Sequence, residues 1–198
     1  MTRLSVASRM MPVLLLLLAP GTASAHASSQ NVRLSAAGPA PEFALSDQDG
    51  SPLALASLRG KVVVVTFIYT RCNQDCPLVT ERMASLRAPL GADFDSRVHF
   101  VSISVDPQFD TPAVLREYAK AHGVNVPGWS FLTGSPPVVE EVERAYGARG
   151  KPHGRSGRVE HLFVTSLIDR QGNLRVRYLG AGFKPKELLQ DVQALLGE

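Results

Sequence analysis

The sequence predicts one α/β domain, a sandwich built on a mixed sheet, and three observations carry that expectation. From Pro41 onward, apolar runs of strand type alternate with apolar stripes of helical period. Residues 61–69 (KVVVVTFIY) are continuously β-branched and aromatic, as in a central strand buried on both faces. The last two strand-like runs are joined by a short turn, so the alternating pattern ends in an antiparallel pair.

Taken in order, Phe43, Ala44 and Leu45 precede the turn Asp47-Gln48-Asp49-Gly50, and Leu53 and Leu55 follow it, which predicts a small N-terminal hairpin. After the central strand, Val79, Met83, Leu86 and Leu90 form one helical stripe. Residues 98–105 alternate apolar and polar as a second strand. Thr111 and Pro112 supply a cap and a first-turn proline for a helix that carries Val114, Leu115 and Tyr118 toward Gly123, and Asp110 is grouped with Thr111 as a capping residue. Pro136-Pro137 opens another helix, with Val138, Val142 and Tyr146 expected to face inward. Residues 147–160 have the composition of a long, polar, Gly-rich loop. Residues 161–168 and 174–179 flank the turn 169–173 as a hairpin, and Leu188, Val192, Leu195 and Leu196 line a C-terminal helix. No internal repeat and no second domain are visible.

The first 25 residues have another character. Arg3 and Arg9 form a basic start, residues 10–19 are apolar, and Ala23-Ser24-Ala25 is a small-x-small cleavage site. The apolar run is about half the roughly 20 residues a membrane span needs, and no cysteine follows it to take a lipid anchor. A signal peptide over residues 1–25, cleaved after Ala25, is therefore expected, with no stable membrane anchor. A flexible lead-in over residues 26–40 and the domain over residues 41–198 complete the organisation. The chain is thus read as exported, and as periplasmic in a bacterial host. Cleavage removes Arg3 and Arg9 from the 21 basic residues and none of the 18 acidic ones, so net charge falls from +3 to +1. The remaining cluster, Arg149, Lys151, Arg155 and Arg158, lies on the Gly-rich stretch without interleaved aromatics, which argues against a nucleic-acid partner.

The 198-residue chain has only two cysteines, too few for a disulfide scaffold or a four-cysteine zinc site. Cys72 and Cys76 stand just past the central strand, where a helix begins. Strand ends of this kind bind ligands in open α/β sheets, and a helix N-terminus favours a thiolate. Residues four apart at a helix start share a face, so the sulfurs can converge on one ion or on each other. A structural disulfide closing so short a loop would contribute only about 2 kcal/mol. In an oxidising compartment, a Cys72–Cys76 disulfide is better read as a redox state of the site than as a staple.

Residues 67–77 (FIYTRCNQDCP), with their C-x-x-x-C spacing, resemble the metal motif of the Sco/SenC family. Ser104-Val105-Asp106-Pro107 with Asp110-Thr111-Pro112 resembles that family's Asp-Pro-x-x-Asp-Thr-Pro segment. Residues 129–134 (WSFLTG) resemble its Trp-x-x-Leu-Thr-Gly segment, Tyr146-Gly147 also fits, and His161 precedes a strand as the family's metal-binding histidine does. The resemblance covers most of the mature chain. It implies a thioredoxin-like fold, copper as the metal, and a site of Cys72, Cys76 and His161. It also implies delivery of copper to cytochrome c oxidase, with an oxidase subunit or another copper carrier as partner. Two soft thiolates and an imidazole suit Cu(I), and an added oxygen ligand would accommodate Cu(II). The chain departs from the family pattern at Asn73, at Glu160 and Leu162 around the histidine, and at Phe109.

Asp106 is an acceptor near the thiols, a charge facing a partner, or only a turn residue. His153 could complete a zinc site, and His26 would become the mature N-terminus, where an amine and an imidazole can chelate Cu(II). His99 and His122 sit in strand and helix patterns and read as structural. The competing function is a thiol–disulfide oxidoreductase using Cys72 and Cys76 to keep a copper-site client reduced, although its usual spacing is C-x-x-C.

Overall fold

A computed structural model describes residues 34–73, 75–153 and 158–198, with the backbone alone described over 150–153 and 158–161. The signal segment and His26 lie outside the described residues. Among those described, no helix is long and apolar enough to cross a membrane.

The N-terminal hairpin pairs β1 (Ala44–Ser46) with β2 (Pro52–Ala54), and the Asp47 carboxylate closes its turn by accepting the Asp49 and Ser51 N–H groups at 2.9 and 2.8 Å. The central strand is β3 (Val62–Ile68), buried at every position. It leads to α1 (Asp75–Ala84), the short α2 (Arg87–Leu90), β4 (Val98–Ser104), α3 (Pro112–Ala121), β5 (Trp129–Leu132) and α4 (Pro136–Tyr146). A ribbon of β6 (Arg149–His153) and β7 (Arg158–His161) follows, then β8 (Val164–Ile168), β9 (Leu174–Leu179) and α5 (Pro185–Gly197).

The five-stranded sheet has the order β5-β4-β3-β8-β9, with β3, β4 and β5 parallel and β8 and β9 antiparallel to their neighbours. This is the expected mixed sheet. Alternation along β3 divides the core between two faces. Val62 and Val64 join Val79 and Met83 of α1, Leu115 of α3, and Leu188 and Val192 of α5. Val63, Val65 and Phe67 join Val139, Val142 and Tyr146 of α4 with Phe43 and Leu45 of the N-terminal hairpin. Ser46 and Thr133 exchange backbone hydrogen bonds at 2.9 Å, which fastens that hairpin to the end of β5.

The structure differs from the sequence expectations at five places. Residues 34–40, expected within a flexible lead-in, run along the turn between β8 and β9: Leu34 and Ala40 are buried, and Ala37 and Ala40 donate to the Leu174 and Gly172 carbonyls. The stripe from Val79 to Leu90 is one buried surface but two helices, because Pro89 has no N–H to carry the first helix on. In α4 it is Val139, not Val138, that faces inward; Val138 is 42% exposed. Residues 147–160 are not one loop but contain β6 and most of β7, a polar ribbon without the apolar alternation that announces a half-buried strand. The strand expected over 161–168 is divided, with β7 ending at His161 and β8 starting at Val164.

His99 is buried between β3 and β5, its Nε2 2.9 Å from the Ser130 hydroxyl, as a structural histidine. Burial pushes its pKa from 6.5 down to about 4, helped by the Lys61 charge. Above pH 6.5 the imidazole is neutral in both folded and unfolded chains; as pH falls toward 4 only the unfolded chain takes the proton, so stability falls with it. Urea unfolding of wild type between pH 7 and pH 4.5 should show this loss, on the order of 2–3 kcal/mol from this group, and His99→Gln should flatten it.

Candidate metal centre

The central strand ends at Ile68, and the chain passes through Tyr69, Thr70, Arg71 and Cys72 before α1 begins at Asp75. The Cys72 N–H donates to the Tyr69 carbonyl at 3.1 Å, which closes a tight turn. In the first turn of α1, the Cys76 N–H donates to the Cys72 sulfur at 3.3 Å. The two cysteines are unbridged and differ in setting, Cys72 half-buried and Cys76 fully buried. The donor at the helix N-terminus is therefore aimed at Cys72, the polarity that a charged sulfur ligand requires. Burial pushes the Cys76 thiol up, and the Cys72 sulfur adds to the push against a lowering backbone hydrogen bond from Tyr69. At Cys76 desolvation therefore opposes the thiolate that a helix N-terminus favours. The Tyr69 hydroxyl hydrogen-bonds the Cys72 side chain, which raises the phenol above its ordinary value, with burial as the next cause.

Asp110 fixes this loop. It is completely buried and accepts from the Thr70 N–H at 3.1 Å, the Thr70 hydroxyl at 2.5 Å and the Ser104 hydroxyl at 2.5 Å. It does not cap α3, whose cap is Thr111, accepting from Val114 at 3.4 Å. The expectation that Asp110 is a capping residue is corrected accordingly. A signal was present: Thr111 already holds the cap position before Pro112, which leaves Asp110 one residue outside the helix.

Asp106 turns toward Arg71, accepting from its Nε and Nη2 at 3.2 and 2.5 Å, while its own N–H donates to Ser104 Oγ at 3.1 Å. The Arg71 guanidinium also lies 4.4 Å from the centre of the Phe109 ring. Asp106 thus braces the residue before Cys72. Its backbone also shapes the turn, as the turn reading expected, accepting from Phe109 and Asp110.

His161 ends β7, and its side chain lies outside the described residues, as does that of His153. Its backbone is placed by the sheet. Thr66 of β3 pairs with Thr165 of the antiparallel β8, so residues 161–163 lead into β8 at the edge where β3 runs out toward Cys72. His122 is structural, its Nδ1 2.9 Å from the Tyr118 carbonyl.

The donor chemistry of Cys72 and Cys76, soft sulfurs at one helix start with an N–H directed at one of them, fits a soft monovalent metal. Comparison with known proteins agrees. The SCO1/SenC family model matches residues 33–197. An SCO1 protein homolog of Bacillus subtilis is 32% identical over 155 residues, 77% of this chain and 80% of that protein. Bradyrhizobium japonicum ScoI, solved with copper bound, superposes with a TM-score of 0.66 at 28% identity, covering 79% of this chain and 99% of that one. BsSco, a member of the Sco family of cytochrome c oxidase assembly proteins in which a disulfide switch was identified, superposes with a TM-score of 0.67 at 31% identity over 80% of this chain and 93% of that one.

Replacing Asp110 should loosen the cysteine loop. Asp110→Ala leaves the Thr70 N–H and the Ser104 hydroxyl unsatisfied and should cost on the order of 3 kcal/mol, and Asp110→Asn, which keeps one acceptor oxygen, about half that. Thermal unfolding of the two variants against wild type measures the order.

Proposed function

Because the chain belongs to the SCO1/SenC family, we propose that it is an exported metallochaperone that binds copper through Cys72, Cys76 and His161 and passes it to cytochrome c oxidase during assembly. The observation that carries this reading is the meeting of the two cysteines at the start of α1, with the Cys76 N–H on the Cys72 sulfur at 3.3 Å. His161 supplies the third ligand from the neighbouring strand edge. Support for its place comes from the β3–β8 register, which leads the chain from His161 into the sheet beside the cysteine loop.

Two thiolates and one imidazole form a three-coordinate set for Cu(I), and an oxygen ligand would complete a Cu(II) form. Delivery proceeds by ligand exchange. Cys72, the more accessible sulfur, is the first to be replaced by an incoming thiol of the client, and buried Cys76 holds the ion until the exchange is complete. The receiving protein is an oxidase subunit or another copper carrier. A leader over residues 1–25, cleaved after Ala25, would carry the reaction outside the cytoplasm, into the periplasm of a bacterial host.

The difference in exposure between the cysteines also favours a second reading, a thiol–disulfide oxidoreductase for the client's own cysteines. The Cys72 thiolate attacks a client disulfide, forming a mixed disulfide and expelling one client thiolate. Cys76 then attacks the Cys72 sulfur, releasing the second client thiolate and leaving a Cys72–Cys76 disulfide, so two electrons pass from the site to the client. That disulfide removes both sulfur ligands, and copper binding and thiol reduction therefore use the same pair in alternation.

Metal analysis of the mature protein separates these roles. The reduced protein should hold one copper per chain, and the oxidised protein should lose it. His161→Ala should weaken binding by at least about 10-fold, and unchanged affinity would remove His161 from the site. Cys76→Ser should accumulate a mixed disulfide on Cys72 with a client if the exchange reaction operates, and none if it does not.

A further inference from the structure

The ribbon that carries His161 is poorly secured by its own ladder. Its paired positions are Arg149 with His161, Pro152 with Val159 and His153 with Arg158, and the register shifts between Arg149 and Pro152. Pro152 has no N–H to contribute, and a two-stranded ribbon alone is marginal in water. What fastens the ribbon lies at its base. Gly147 ends α4 in the left-handed conformation at φ 74°, the Ala148 N–H returns to the Glu143 carbonyl at 2.8 Å, and the Leu162 N–H donates to the Ala148 carbonyl at 2.8 Å.

Arg149, directly opposite His161, adds a charged tie to the same helix. Its Nη1 lies 3.2 Å from Glu140 Oε2 and 4.0 Å from Glu143 Oε2. Glu143 is 1% exposed, a costly place for a carboxylate, and burial raises its pKa to about 7 against the pull of Arg149. A surface ion pair would contribute little, but one partner here is buried and the arginine is three-quarters covered. Arg149, Glu140 and Glu143 line one wall of a cleft of about 250 Å³, and Asp106, the brace of Arg71 beside Cys72, lines the same cleft. The cleft thus joins the base of the ribbon to the support of the cysteine loop.

We propose that Arg149, clamped by Glu140 and Glu143, is a positioning residue for His161, fixing the end of β7 so that the histidine is presented to Cys72 and Cys76. The inference rests on the reading of His161 as a copper ligand. It assigns to the Glu140–Glu143–Arg149 cluster a role in metal affinity without contact with the metal. Residues that orient a ligand from outside the coordination sphere typically change metal affinity by about 10–100-fold when removed.

The test is a double-mutant cycle on the reduced, mature protein, with Cu(I) affinity measured by competition with a chelator. The Cu(II) form is followed in parallel by electron paramagnetic resonance for nitrogen coupling. Arg149→Met should weaken Cu(I) binding about 10-fold and blur or remove the nitrogen coupling, and Arg149→Met on a His161→Ala background should change neither further. Glu140→Gln with Glu143→Gln, which keeps the shape of the two side chains and removes the charges facing Arg149, should act in the same direction as Arg149→Met and provides the reading if Arg149→Met does not fold. Wild-type affinity and coupling in the Glu140→Gln/Glu143→Gln protein, while His161→Ala is weakened, would overturn the clamp alone. An equal loss from Arg149→Met with and without His161 would also overturn it, because the effect would then bypass the histidine. Undiminished affinity in His161→Ala would instead overturn the three-ligand site itself.

Discussion

The buried carboxylate of Asp110 is the constraint on which the site depends. It sits where two parallel strands end, and it ties the first residues after β3 to the last residue of β4 through Thr70 and Ser104. A carboxylate so fully removed from water is tolerable only when its oxygens accept several hydrogen bonds, and the donors it accepts from belong to the chain just before Cys72. The position of Cys72, and with it the approach of the Cys76 N–H to its sulfur, follows from that lock. Arg71, held by Asp106 and stacked over Phe109, braces the same loop from the outside.

From that base the asymmetry of the two thiols acquires a use. A fully buried Cys76 is poorly suited to meet a partner, and a half-buried Cys72 is poorly suited to hold an ion alone. Together they allow a ligand set to open from one side. The proposed copper transfer and thiol exchange both begin at Cys72 for this reason, and both leave Cys76 to complete the reaction. A sheet that is parallel through β3, β4 and β5 and antiparallel at β8 is the topology on which the proposed third ligand depends. An antiparallel neighbour starts where β3 stops, so residues preceding β8 reach the cysteine edge without a crossover.

Much of this was legible in the sequence. The continuous β-branched and aromatic run of β3, the capping Thr111 before Pro112, and the turn between β8 and β9 each follow from local rules, and the structure has them where expected. The cysteine pair was visible through its place after a strand. What escaped depended on contacts between distant segments. Asp110 has the composition of a cap, and only the fold shows that its partners are 6 and 40 residues away. Leu34 and Ala40 belong to an Ala- and Ser-rich stretch that reads as flexible, yet the turn at Gly172 offers it a backbone to pair with. The ribbon of β6 and β7 has no apolar alternation to announce it, and its tie through Arg149 to Glu143 crosses from strand to helix.

The central claim is that Cys72, Cys76 and His161 hold one copper ion. X-ray absorption spectroscopy of the reduced mature protein loaded with one equivalent of Cu(I) tests it most directly. The account predicts a three-coordinate ion with two sulfur neighbours and one imidazole nitrogen, the nitrogen being lost in His161→Ala. A sulfur-only shell in the wild type, or an imidazole signal that persists in His161→Ala, would contradict it.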